Sequence, residues 1–302
     1  MPTIDDIKPR GQHVQGIILI TFSVTAWGSG GLFTRLLPFD MWTIVFWRGA
    51  FGGAFIGLFV LWRYGRSGAD IILSIGAVGV LAVLCLTCTI TVMVPAIQHT
   101  SVANAMTILA TVPFFTAAVS WIWLRESPSV LTLVASVVVI VGVVIMVGPS
   151  AGGPKFGDWL AVMATATQAV MTVAIRRNQH VEMVPVAMLS AMLSSLIALP
   201  LAAHLFDLNV RDYAVAAGFG MVPMTLGMML YVIGSAMIPA TLTALISTIE
   251  APIGTIWAWI GVGEKPATTT LIGGGIVLSA VIGRLLVEKY FEERNVARDN
   301  PI

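Results

Sequence analysis

Apolar residues recur along this chain in long runs rather than in the alternation of a half-buried strand or the narrow stripe of a surface helix. A bilayer core of roughly 30 Å is crossed by about 20 helical residues. Windows of that length, divided at charges and Pro/Gly clusters, fall at about 15–37, 41–62, 71–97, 101–124, 129–148, 158–175, 185–205, 213–236, 239–262 and 267–287. The pattern predicts an all-α integral membrane protein with ten transmembrane helices. Little is left over for a soluble domain.

Composition agrees. Of 302 residues, 57% are hydrophobic and only 10% charged, with a mean hydropathy of +0.93, whereas soluble domains carry about 25% charged residues. A net charge of +1 gives no reason to expect a nucleic-acid partner. The first run follows Lys8 and Arg10, exceeds signal-peptide length and lacks an A-x-A site, so it reads as a retained span.

With the N-terminus placed in the cytoplasm, eleven basic residues face inward. Arg35, Lys155, Arg211 and Lys265 face outward and Arg48 lies within the membrane, which accounts for all 16 Lys and Arg. This bias predicts that both termini are cytoplasmic.

The two halves resemble each other. "AIQHTSVANAMTILATVPF" (Ala96–Phe114) lines up without a gap on "SAMIPATLTALISTIEAPI" (Ser235–Ile253), pairing Ser101 with Ala240 and Pro113 with Pro252. Each stretch is followed by a charged turn, "RESP" around Glu126 and "GEKP" around Glu264, and Gly16 to Arg35 has the same separation as Gly157 to Arg176. The expected organisation is a first five-helix repeat over 1–148 with a short cytoplasmic N-terminus, an extracytoplasmic linker at 149–157, a second repeat over 158–287 and a cytoplasmic tail at 288–302. Five is odd, so the second repeat enters the membrane from the opposite side. Such inverted repeats are a signature of secondary transporters.

Ten spans in two halves, "FWRG" in the second span, "AIQHTSVANA" leading into the fourth and the turns "RESP" and "GEKP" resemble the drug/metabolite transporter superfamily, specifically its EamA-type exporters. Within it the chain looks most like bacterial amino-acid exporters of the YddG type, known for aromatic amino acids and analogues. The resemblance covers about Gly16 to Val287 and implies export of small metabolites across the inner membrane. Ser129 fits the family's Ser or Thr after the turn proline, whereas Ala267 does not.

Polar side chains inside spans must find protein partners or a water-filled cavity, because hydrocarbon offers none. In the ninth span Thr243, Ser247, Glu250, Gly254 and Trp257 follow spacings of 4, 3, 4 and 3, one helical face. In the fourth span Asn104, Thr107 and Thr111 form a matching stripe. Both suit a substrate site between the repeats, and both also suit helix-to-helix hydrogen bonding at about 0.6 kcal/mol each.

Glu250 lies 11 residues beyond Pro239 and 14 before Glu264, near the membrane midplane. Three states are open to it: ionised beside a cation, neutral because burial disfavours the charge, or a carrier of coupling protons. Structural hydrogen bonding near Pro252 is the plainer alternative. Arg48, seven residues beyond Met41 and so about 10 Å along its helix, either snorkels outward, caps freed carbonyls, pairs with Glu250 or meets a substrate carboxylate.

Trp27 and its counterpart Gln168 join the candidate substrate contacts, as does Tyr231. Trp27 lies within "AWGSGG" (Ala26–Gly31), which can unwind a helix. Gly49, Gly53 and Gly57, and likewise Gly275, Ser279 and Gly283, read as packing stripes. "GFGMVPMTLG" (Gly218–Gly227) reads as a kinked helix.

Cys85 and Cys88 ("CLTC") sit inside an apolar helix and the four histidines are scattered, so no metal or other cofactor is expected. No H-E-x-x-H or similar constellation points to a membrane enzyme. The expected partners are a small-molecule substrate and the bilayer, with the protein a monomer or homodimer.

Overall fold

The computed structural model describes residues 10–65, 75–125, 129–147, 153–178 and 182–299. Lys8, Arg66, Glu126, residues 149–152 of the predicted linker and residues 300–302 lie outside them. The described residues are helical throughout, without a strand. Nine of their segments are long and apolar enough to cross a membrane. The remaining predicted span, 239–262, is built as two shorter helices.

The first segment is α1 (Arg10–Gly28) and α2 (Gly30–Leu36), interrupted at Ser29. The interruption is slight: Ser29 keeps helical torsions, and its hydroxyl donates to the Ala26 carbonyl at 2.6 Å. After it come α3 (Met41–Tyr64), α4 (Gly76–His99), α5 (Val102–Leu109), α6 (Val112–Leu124) and α7 (Val130–Val147). The second half runs through α8 (Phe156–Arg177), α9 (Met183–Ala198), α10 (Val210–Phe219), a π-helical turn at Gly220–Leu226, and α11 (Gly227–Ser235). It closes with α12 (Ala240–Ser247), α13 (Glu250–Val262) and α14 (Thr268–Asp299), which carries helix well into the predicted tail.

The halves interlock. Helix α1 packs on α11 and α13 of the second half, as α8 packs on α4, α5 and α6 of the first, while α3 pairs with α9 and α7 with α14. Lipid provides no hydrophobic drive for helix association, so close backbone approach carries much of it. Gly49 and Gly53 let α3 settle on α9: a Cβ at Gly49 would come within 2.6 Å of the Ala191 carbonyl oxygen. The stripe expected at Gly275 and Gly283 plays no such part among the described residues, none of which comes within 4 Å of a Cβ at either position. Gly273 makes that approach instead, facing Gly142 of α7.

Both spans that carry the aligned segments are broken at equivalent points, between α5 and α6 and between α12 and α13. Proline is the cause. Pro113 and Pro252 lack the N–H that would bond the carbonyls of Leu109 and Thr248, and each sits in the first turn of the following helix, where proline is tolerated. The π turn has a similar origin in Pro223, and the shifted ladder shows in the Gly227 N–H, which donates to the Val222 carbonyl.

Helix α3 is capped by Asp40, whose Oδ1 accepts from the N–H groups of Trp42 and Thr43 at 3.0 and 3.1 Å, while Oδ2 accepts from the Thr43 hydroxyl at 2.6 Å. Burial pushes this carboxyl up, but the three donors and nearby His204 outweigh it and hold the group below the ordinary carboxylate value. A carboxyl depressed in this way stabilises the fold above its unfolded pKa, and the contribution is lost as pH falls through the folded value. Asp40→Ala is therefore expected to cost about 1 kcal/mol at neutral pH. The deficit should shrink in acid, as read by unfolding in detergent at several pH values.

Candidate functional site

Trp27, Tyr231, Ser247 and Glu250 come together where α1, α11 and the break between α12 and α13 meet. The Trp27 and Tyr231 rings lie 4.9 Å apart with planes tilted by 36°. The indole has room because Gly227 has no side chain: a Cβ there would stand 2.6 Å from Trp27 Cδ1. The π turn that places Gly227 is held from α1 by Ser23, whose hydroxyl donates to the Gly227 carbonyl at 2.7 Å. The bulge read in sequence as a kink thus shapes the wall of the cluster.

Tyr231 packs against the Ile20, Val24, Ile238 and Ile246 cluster and lies within electrostatic range of Ser247 and Glu250. The Ser247 hydroxyl donates to the Thr243 carbonyl at 2.9 Å, which leaves its oxygen able to accept a further hydrogen bond. Gly28 brings α1 against the break, its hypothetical Cβ 3.4 Å from the Glu250 carbonyl oxygen. Glu250 sits deep in the bundle yet retains partial exposure, as do Trp27, Tyr231 and Ser247. The four side chains offer two aromatic faces, two hydroxyls and one carboxylate.

The equivalent place in the first half is built differently. There Thr111 donates its hydroxyl to the Ile108 carbonyl at 2.6 Å, and the Thr165 hydroxyl of α8, which donates to the Ala161 carbonyl at 2.8 Å, lies 3.3 Å from the same oxygen. Glu250 stands at the position of Thr111 and Val24 at that of Thr165. The first break is sealed by hydroxyls, and the second carries a carboxylate.

The other sequence candidates separate. Asn104 is buried and its Oδ1 accepts from the Thr270 hydroxyl at 2.6 Å, tying α5 to α14. Thr107 is buried against Gly274 of α14. Thr243 is buried and bonds the Pro239 carbonyl at 3.2 Å. The Trp257 indole N–H donates to the Thr25 carbonyl at 3.2 Å and holds α13 on α1. Gln168 is half-buried on α8.

Arg48 is 6% exposed and forms no ion pair with Glu250. Its Nη2 donates to the Ile90 carbonyl, its guanidinium lies 5.3 Å from the centre of the Phe219 ring, and its Nε has no partner. Ile90 lies inside α4, so the bond goes to a mid-helix carbonyl and not to a helix break. Cys85 and Cys88 are free thiols, and Cys85 packs among Ala82, Val83, Met171 and Val186.

Sequence reasoning missed the polar cluster at one end of the bundle. Arg35 Nε donates to Glu264 Oε2 at 2.8 Å and its Nη2 to the Thr100 carbonyl at 2.9 Å. Glu264 Oε1 accepts from the Val102 N–H at 2.7 Å, capping α5. The Thr100 hydroxyl donates to Asp158 Oδ1 at 2.6 Å, and Asp158 Oδ2 accepts from the Lys155 N–H at 2.8 Å. Three of these bonds, Arg35–Glu264, Val102–Glu264 and Thr100–Asp158, cross between the halves. A cavity of about 400 Å³ beside them is lined by Ser101, Lys155, Asp158, Lys265 and Thr268. The signal was present in sequence as an Arg at a fixed distance from each repeat start and a Glu in each closing turn.

The described helices form two interlocked halves with nine segments long and apolar enough to cross a membrane, the architecture of an integral membrane protein. The chain belongs to the EamA-like transporter family, whose profile matches residues 14–148 and again 155–286. Members of this family are membrane transporters of small metabolites, not enzymes. A crystal structure of another protein superposes with a TM-score of 0.63, covering 92% of this chain and 99% of that one at 18% identity, a likeness that shows the fold alone. No curated protein matches the chain by sequence.

Proposed function

We propose that this transporter exports amino acids with neutral or aromatic side chains across the inner membrane by alternating access. In this reading ten spans form two inverted repeats with both termini in the cytoplasm, and the Arg35–Glu264 end faces outward. The supporting observation is the cluster of Trp27, Tyr231, Ser247 and Glu250, drawn from both halves and set at a helix break. Aromatic faces suit a ring-bearing side chain, and broken spans are where secondary transporters hold small polar substrates.

Counterflow in proteoliposomes with a panel of amino acids tests this, run with and without a proton gradient. Neutral and aromatic amino acids should exchange. Absence of flux for every amino acid would remove the substrate assignment, and flux indifferent to the gradient would remove Glu250 as a carrier of coupling protons.

A further inference from the structure

We propose that the central cluster recognises its substrate by a primary ammonium group and leaves the carboxylate unread, so that the protein exports aromatic monoamines as well as amino acids. This rests on the transport reading above and extends its substrate class.

Glu250 is the one acid in the cluster, and it forms no ion pair among the described residues. Its neighbours are a cation's neighbours. The Tyr231 and Ser247 oxygens can accept N–H donors, and the Trp27 and Tyr231 faces attract positive charge. An ammonium entering here would meet a carboxylate, hydroxyl oxygens and aromatic rings together. Each is weak in water and stronger in a desolvated site.

A carboxylate entering with it would find no matching cation. Arg48 is the one basic residue deep within a described span, and it is turned to the Ile90 carbonyl beneath the Phe219 ring and forms no ion pair with Glu250. The first half supplies an internal contrast. At the position equivalent to Glu250, Thr111 spends its hydroxyl on the Ile108 carbonyl, so the molecule has one ammonium point and not two.

Three matched probes separate the two ends of an aromatic amino acid: L-phenylalanine, phenethylamine, which lacks the carboxylate, and 3-phenylpropionate, which lacks the amine. Each is offered as competitor in counterflow by the full-length wild type at one fixed pH. Phenethylamine should compete within a few-fold of phenylalanine, and 3-phenylpropionate should be weaker by at least about tenfold, because a site built to bond a polar group discriminates against ligands lacking it. Glu250→Gln should weaken both amine-bearing probes by at least about tenfold and leave 3-phenylpropionate unchanged, while Tyr231→Phe should weaken them less.

Equal competition by 3-phenylpropionate, or none by phenethylamine beside strong competition by phenylalanine, would overturn the inference while leaving amino-acid export standing. Absence of any phenylalanine flux would overturn both. Should Glu250→Gln not fold, the wild-type ranking of the three probes decides alone.

Discussion

Arg35→Glu is expected to remove most transport activity, and combining it with Glu264→Arg should restore part of it. Arg35 and Glu264 belong to different halves, and the pair keeps 29% and 21% of its side-chain surface exposed. Screening at that exposure limits the ion pair itself to about 1 kcal/mol or less. The reversal does more than remove it. Two carboxylates would face each other across a hydrogen-bond distance, and the Arg35 bond to the Thr100 carbonyl would be lost as well.

Under the alternating access proposed above, each 1.4 kcal/mol at one end changes the ratio of the two conformations about tenfold. The loss therefore falls on transport more heavily than on folding. Restoration in the double variant is partial, because an arginine at position 264 cannot accept the Val102 N–H that the Glu264 carboxylate now caps. Counterflow rates and unfolding midpoints of the three variants check this. A single variant that transports like the wild type would show that the contact plays no part in the cycle.

Gly157→Ala is expected to give little folded protein, although it adds a single methyl. The new Cβ would lie 2.4 Å from the Ala96 carbonyl oxygen and 2.6 Å from the His99 carbonyl carbon and the Thr100 nitrogen. All three are backbone atoms, which cannot swing aside as the tip of a side chain can. Relief requires α8 to leave the end of α4, and that breaks the Thr100–Asp158 bond. Overpacking of this kind costs about 1–3 kcal/mol in forgiving cores and more where backbone must move. Gly275→Ala is the control, since no described residue comes within 4 Å of a Cβ at that position. Yield and unfolding midpoint in detergent should separate the two variants clearly. Equal stability would mean that the close seat of α8 on α4 does not hold the fold.

The helical bundle and its doubling were legible because membrane spans are written in runs of residue type and because the repeat aligns without a gap. Pro113 and Pro252 even marked the two breaks. What the residues did not disclose was which surface each polar face meets. Asn104 and Thr107 share a stripe with Thr111, yet α14 covers the first two. Helical spacing tells which residues share a face and says nothing of the neighbour.

The same limit hid the fate of Arg48 and Glu250. Each was visible as a lone intramembrane charge, and their pairing was open on sequence grounds. The fold sends Arg48 to Phe219 and Ile90, and Glu250 to the neighbourhood of Tyr231. Gly275 and Gly283 show the reverse error, a packing pattern without a packing partner among the described residues, because four-residue spacing is satisfied as readily by chance in a glycine-rich helix. Arg35 and Glu264 were each conspicuous at a repeat boundary, but a contact between sequence-distant halves is not encoded by local pattern.

The central claim is that the cluster at the break in the ninth span is the transport site. Ser247→Cys, placed in a Cys85→Ala/Cys88→Ala background and reconstituted in liposomes, tests it with a membrane-impermeant thiol reagent applied to either side, with and without L-phenylalanine. Labelling at position 247 from the aqueous phase, slowed by L-phenylalanine, is the expected result. A thiol that never labels from either side, or labels at the same rate whether or not a transported amino acid is present, would contradict it.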